Sequence, residues 1–189
     1  MRAFVMSVRC GIVSAMTEQL DEVTIRIATA QDADAIAQVH VRSWQEAYAD
    51  IVPAHHLASL DAEDWGRRWK QHLERGPQDG VTTWIASADQ RLVGFVSVGP
   101  SRDEDARRAD REIYSIYLDP GIWGHGVARE LMRTVISETG ESTHLTLWVL
   151  ADNDRARHFY RRHGFQADGV ERYDEVGGAE LLEVRYRRN

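Results

Sequence analysis

One segment restricts the fold of this chain more than any other. Glu112 to Leu118 alternates apolar and polar residues and ends at the turn signal Asp119-Pro120. The glycine-rich stretch Gly121 to Ala128 follows and leads into a helical stripe of Ala128, Leu131, Met132, Val135 and Ile136. The order is strand, turn, glycine loop, helix. Gly124 and Gly126 let the backbone turn tightly and lie close to a ligand. The first N–H groups of the helix then point outward, with the positive end of its dipole behind them. Such a loop suits a phosphate or pyrophosphate. It is not a P-loop, because no Gly-Lys-Ser/Thr follows, and no repeated βαβ array surrounds it as a Rossmann fold requires. A Gly-x-Gly before a helix is as often a plain turn, so the loop alone leaves both readings open.

The rest of the chain supplies the context. Val23 to Ile27 alternates as a strand, and Asp32 stands where an N-cap belongs. Ala33, Ile36, Ala37, His40, Trp44, Ala47 and Tyr48 form one helical stripe, ended by Ile51-Val52-Pro53. A second helix from Asp61 carries Trp65, Trp69, His72 and Leu73 on one face, and Gly76-Pro77 with Asp79-Gly80 stops it. Val81 to Ala88 and Arg91 to Val98 read as a hairpin around Asp89-Gln90. Arg102 to Arg111 is a mixed-charge loop expected to be solvated. His144 to Leu150 is a strand, and Asp152 or Asn153 caps a helix that Gly164 stops. Two closing strands flank Gly177-Gly178.

The stretch Asn153, Ala156, Phe159-Tyr160, Gly164-Phe165 is similar to the Asn-x-x-Ala-x-x-Phe-Tyr-x-x-x-Gly-Phe motif of the GCN5-related N-acetyltransferase (GNAT) superfamily. Trp123 to Ala128 resembles that family's acetyl-CoA signature, Arg/Gln-x-x-Gly-x-Gly/Ala. The opening Ile25 to Ala33 and the element order agree, and the resemblance spans about Val23 to Arg187. It departs at Trp123, where the family usually has Arg or Gln, so phosphate binding should lean on backbone N–H groups.

The resemblance implies an α/β (α+β type) GNAT-like three-layer fold, with a central, mostly antiparallel, twisted sheet flanked by helices. It implies acetyl-CoA as acyl donor and direct transfer of acetyl to a primary amine of a small molecule or protein N-terminus. Backbone groups of Ile116, Tyr117 and Leu118 would pair with the pantetheine arm as with an added strand. Those of Gly124, His125, Gly126, Val127, Ala128 and Arg129 would hold the pyrophosphate. Asn153 would bind the cofactor arm, serve as N-cap, or do both. Tyr160 would lie near the thioester sulfur and protonate the leaving thiolate. Glu112, on the same face as Tyr114, is the candidate base, directly or through water. A solvated Glu112 and a Tyr160 that merely packs are the competing readings. Trp44, Tyr48 and Tyr114 are the acceptor-site candidates, with helix packing the competing reading for Trp44. Trp65, Trp69 and Trp84 are expected to pack.

Composition restricts the alternatives. The net charge is −7, spread over both halves, so no global basic footprint suits nucleic acid. It mildly favours a cationic acceptor. The single Cys10 permits no internal disulfide or cysteine zinc site and fits a reducing, cytoplasmic setting. His158 and His163 are not spaced as a metal pair, and no metal is expected. No apolar run is long enough for a membrane span. Arg9 interrupts the apolar run of Met1 to Ala15, against a signal peptide. Residues 1–20 are expected to be a disordered arm or, if Met16 is the natural start, an over-called frame. Residues 21–189 are expected to form a single N-acetyltransferase domain, with a homodimer as one assembly open to it. The rival function is a non-catalytic acyl-CoA-binding sensor.

Overall fold

Left-handed backbone at Asp89 (φ 50°) and Gln90 (φ 60°) folds the first hairpin, because two such residues in succession match the twist of the strands they join. The computed structural model describes residues 23–189. The expectations for residues 1–20, Cys10 and Met16 among them, lie outside the described residues.

The chain runs β1 (Thr24–Ile27), α1 (Ala33–Ala47), α2 (Ala54–Ser59), α3 (Ala62–Arg75), β2 (Thr82–Ala88), β3 (Arg91–Pro100), β4 (Arg111–Leu118), α4 (Val127–Thr139), β5 (Leu145–Leu150), α5 (Asp154–Arg162), β6 (Gln166–Val176) and β7 (Ala179–Arg188). One seven-stranded sheet has the order β1-β2-β3-β4-β5-β7-β6. Every pairing is antiparallel except β4 with β5. The mostly antiparallel, helix-flanked sheet therefore stands as expected.

Strand alternation sends apolar residues to both faces. Trp84, Val96, Ile113, Leu145 and Leu147 form one core with Val127, Leu131, Met132 and Val135 of α4 and Tyr160 of α5. Ile85 and Phe95 form the other with Ile36, Ala37 and Val39 of α1 and Trp69 of α3. Each fully buried Leu, Ile or Met contributes about 1.5–3 kcal/mol by leaving water. Trp84 packs in the first core and Trp69 in the second, as expected, and Trp65 packs partly buried against the second.

Three local differences from the sequence pattern follow from side-chain chemistry. The six-residue helix α2 is too short to leave a periodic signature. Asp32 precedes α1 but makes no cap bond to it. Its carboxylate accepts from the Thr29 N–H (2.8 Å) and from Arg26 (2.7 and 2.9 Å), closing a short 3-10 turn. The loop after β3 is mostly exposed, as expected, but two of its aspartates anchor it to the sheet. Arg185, buried on β7, pairs with Asp103 (3.3 Å), Asp105 (2.6 Å) and Asp168 (2.8 Å).

A bulge shapes the centre of the sheet. Ser97 faces Ser115 and Val98 faces Ile113, so Tyr114 has no partner on β3. The extra residue puts Ile113 and Ile116, three apart, into the same core. Bulges bend and twist a strand. Beyond this one, β4 leaves β5. The two pair only from Arg111↔Leu145 to Ile113↔Leu147 and then separate.

Candidate active site

The separation of β4 and β5 opens a cavity of about 750 Å³ lined by both strands, the end of α1, the glycine loop and α5. Its β4 edge has a definite phase. The Asp119 N–H donates to the Val93 carbonyl at 2.8 Å. Hydrogen bonding alternates along an antiparallel strand, so Tyr117 and Ser115 also turn their backbone groups to β3. Ile116 and Leu118 turn theirs to the gap. The expectation that Tyr117 lends its backbone to an added strand is thereby corrected, since that backbone is committed to Phe95. The Leu118 carbonyl is taken by the Trp123 indole N–H at 3.2 Å, leaving the Ile116 and Leu118 N–H groups facing the cavity.

The loop has the expected form. Gly124 and Gly126 stand at φ 88° and 85°, and Gly126 is the N-cap residue of α4. Glu130 is the first residue of α4 to bond back, to the Gly126 carbonyl at 3.2 Å. The N–H groups of Val127, Ala128 and Arg129 precede it and have no place in the helical ladder. His125 differs from the expectation. Its N–H is used within the loop, on the Ile122 carbonyl at 3.3 Å, and its exposed ring lies against the Trp123 carbonyl. The guanidinium missing from position 123 returns from another element. Arg155 of α5 lies 3.7 Å from the centroid of the Trp123 ring. Burial lowers its pKa, and no carboxylate pairs with it among the described residues.

Deeper in the cavity, three tyrosines converge from three layers. Tyr48 follows α1, Tyr117 is on β4 and Tyr160 is on α5, and the Tyr48 and Tyr117 hydroxyls are 3.4 Å apart. Burial raises the pKa of all three. Tyr160 is pushed far above its usual range by burial and then by Tyr48. Tyr48 is raised by burial and drawn back by hydrogen bonds to Tyr117 and Asn153. Asn153 therefore has two tasks. Its side-chain oxygen caps α5 on the Ala156 N–H at 3.0 Å, and its side chain also meets Tyr48. Tyr160 belongs to the core and to the cavity wall alike. Trp44 stands edge-on to Tyr48 at 5.0 Å and lines the same space.

At the far end lie Glu112 and Tyr114. Glu112 is 2% exposed, which excludes the solvated reading. Both its oxygens are occupied by Arg102, through the backbone N–H (2.9 Å), Nε (3.2 Å) and Nη2 (2.5 Å). That engagement counts against Glu112 as a direct proton acceptor, because its lone pairs already hold a cation. The Tyr114 ring covers Gly99, opposite Glu112, and carries the Arg102 guanidinium at 4.1 Å. The two residues share a face as expected. Among the described residues no group of three or more His, Cys, Asp or Glu is arranged to hold a metal. No described helix is long and apolar enough to cross a membrane.

The family model of the Acetyltransferase (GNAT) family matches residues 34–165. This chain belongs to the GNAT acetyltransferase family. Membership makes it an N-acetyltransferase with acetyl-CoA as co-substrate. The uncharacterized N-acetyltransferase YuaI of Bacillus subtilis is 31% identical over 166 residues, 86% of this chain and 90% of that protein. A ribosomal-protein-alanine N-acetyltransferase from Brucella melitensis superposes with a TM-score of 0.70 at 25% identity, covering 87% of this chain and 98% of its own. The PaiA N-acetyltransferase of Thermoplasma acidophilum, solved with coenzyme A, shares the fold at a TM-score of 0.70 and 18% identity, over 89% and 99% of the two chains.

Within this GNAT enzyme the cavity also includes residues that motif reading passed over. Arg102 sat in a charge run read as solvent-facing. Arg172 of β6 pairs with Glu183 of β7 and lies 4.1 Å from the Trp148 ring of β5. A signal for this second group existed. Counting outward from the Gly177-Gly178 turn pairs Val176 with Ala179 and hence Arg172 with Glu183, as the strands do. Nothing comparable in the sequence marked Arg155.

Proposed function

We propose that this enzyme transfers acetyl from acetyl-CoA directly to a primary amine of a small molecule or a protein N-terminus. The carrying observation is the gap between β4 and β5, where free N–H groups of Ile116 and Leu118 meet the Tyr48, Tyr117 and Tyr160 side chains. Acetyl-CoA supplies an activated acyl carbon on a thiol leaving group. The β4 edge is suited to an amide-bearing pantetheine arm, which would satisfy its N–H groups as an added strand does. The α4 N-terminus suits the pyrophosphate, and Arg155 adds a cation above it. An N–H of Ile116 or Leu118 faces the negative charge that develops on the thioester oxygen. Tyr160 carries its proton throughout the neutral range and gives it to the thiolate as the C–S bond breaks. The amine's own proton leaves to water, and Glu112 acts by holding Arg102. Relatives named as a mycothiol acetyltransferase, an L-amino acid N-acetyltransferase and a ribosomal-protein-alanine N-acetyltransferase support an amine acceptor without choosing one. The lone Cys10 fits a cytoplasmic setting.

The test is thiol release from acetyl-CoA over a panel of amines, with Tyr160→Phe beside the wild type. General-acid assistance is typically worth about 10²–10⁴ in rate, so Tyr160→Phe should lose about a hundredfold in kcat while keeping its affinity for acetyl-CoA. An unchanged kcat removes Tyr160 from the acid role. Binding of acetyl-CoA without turnover of any amine favours the sensor reading.

A further inference from the structure

The acceptor end of the cavity holds two guanidinium groups built alike. Arg102 gives Nε and Nη2 to Glu112 and stacks on Tyr114 of β4. Arg172 gives Nε and Nη2 to Glu183 at 2.7 Å and stacks on Trp148 of β5. In each pair the carboxylate is the hidden member. Glu112 and Glu183 are 2% and 16% exposed, against 61% and 47% for their arginines. Each arginine therefore has one edge clamped, one face on an aromatic ring and an Nη1 edge without a protein partner among the described residues. The rings belong to the two strands that separate, so the forks stand on opposite sides of one gap. A guanidinium held still in this way loses little entropy on pairing with a planar anion, and its fork matches a carboxylate. Because each cation is already balanced, such a site selects by geometry and not by bulk attraction. Asp174, two residues along β6 from Arg172, lines the same end without an ion pair among the described residues and suits an ammonium.

The space is also roofed. A Cβ on Gly177, in the β6–β7 turn, would fall 2.5 Å from the His56 Cβ of α2. The hairpin tip thus rests on α2, while Val176 and Trp44 line the cavity beneath. This contact narrows the room over that end, which favours a small molecule over a polypeptide laid along an open groove.

We propose that the acceptor is a small amino-acid-like molecule with a carboxylate close to its primary amine, and that Arg102 and Arg172 recognise that carboxylate. This rests on the acetyltransferase reading and reverses the preference for a cationic acceptor drawn from net charge. The experiment compares kcat/KM for free amino acids (leucine, methionine, glutamate), their amides, the corresponding amines without a carboxylate, and a tetrapeptide with a free N-terminus. The acids should exceed their amides by at least about tenfold, the scale of one charge-assisted hydrogen bond. Arg172→Gln and Arg102→Lys should pull that ratio toward one, mostly through KM. Arg102→Lys is chosen because deleting the cation would strand the buried Glu112, and thermal melting verifies that both variants fold. Amides, plain amines or the peptide accepted as well as the acids would overturn the proposal while leaving the acetyltransferase standing. Acetyl-CoA binding with no acceptor turned over would sink the broader reading instead.

Discussion

His40 should make the stability of this enzyme fall on mild acidification, by an amount the structure sets. The ring is 6% exposed. It stacks on Tyr117 at 5.0 Å and 19°, with Trp65 at 4.2 Å and Trp69 and Phe95 around it. The Trp69 indole donates to Nδ1 at 3.1 Å, so the imidazole proton is on Nε2, which has no partner among the described residues. A second proton would have to enter at Nδ1 against that donor, in an apolar shell. Burial accordingly lowers the pKa from 6.5 to about 4. The folded value lies below the unfolded one, so between them the unfolded chain binds the extra proton. Stability is then complete above about pH 7 and lost as pH falls from 6.5 towards 4. At 1.36 kcal/mol per unit the whole effect is about 3 kcal/mol, of which about 2 kcal/mol is lost between pH 7.5 and 5. His40→Gln keeps an acceptor for Trp69 and does not titrate. Urea unfolding followed by tryptophan fluorescence should show the wild type's advantage over this variant shrinking by about 2 kcal/mol across that range. A constant gap, or His40 titrating near 6.5 by NMR, would refute the burial argument. A gap that widens in acid would mean that the surrounding rings stabilise the imidazolium by cation–π attraction.

Two further substitutions probe the cofactor side. Arg155→Ala should raise the KM for acetyl-CoA about tenfold at low salt with little change in kcat, and weaken the salt dependence of that KM. Equal KM values for the two enzymes would leave the Trp123 stack without a binding role. Gly126→Ala places a Cβ at φ 85°, where it meets Arg129 only at 3.5 Å, so its cost is backbone strain of about 1–2 kcal/mol. Melting should fall by a few degrees and acetyl-CoA should stabilise the variant less than the wild type; an unchanged Tm would argue against the left-handed cap. The pH–rate profile should carry no limb from Tyr160 in the neutral range, because its raised pKa keeps it protonated there.

The parts of this protein that could be read from its sequence are those governed by local rules. Apolar spacing marks α1, α3 and α4, and the Asp89-Gln90 and Gly177-Gly178 turns mark two hairpins. Gly124 and Gly126 stand at positive φ in front of a helix, as their position suggested. Asn153 and Tyr160 were legible because one motif spans a short helix and its N-cap. The pieces that escaped depend on pairings between distant strands. Tyr114 becomes a bulge only because Ser97 and Val98 skip it, and the β4–β5 pairing ends one residue before it. Arg102, exposed as its charge run suggested, gave no sign of its pairing with Glu112, which depends on the β3–β4 register. Tyr117 was expected to lend its backbone, but the phase of the ladder turns that backbone to β3 and lends the cavity its ring.

Local propensity and spacing were thus enough for every strand and for each helix longer than α2, and the resemblance of two motifs was enough for the family. The cavity has a different origin. Three tyrosines from three layers can meet only where the sheet opens, and the Arg155 guanidinium reaches the Trp123 ring only because β5 ends, and α5 begins, beside that loop. Net charge, a sum over the whole chain, pointed to a cationic acceptor. The proposed carboxylate-bearing acceptor rests instead on position, on two paired guanidinium groups that the fold brings to one end of the cavity.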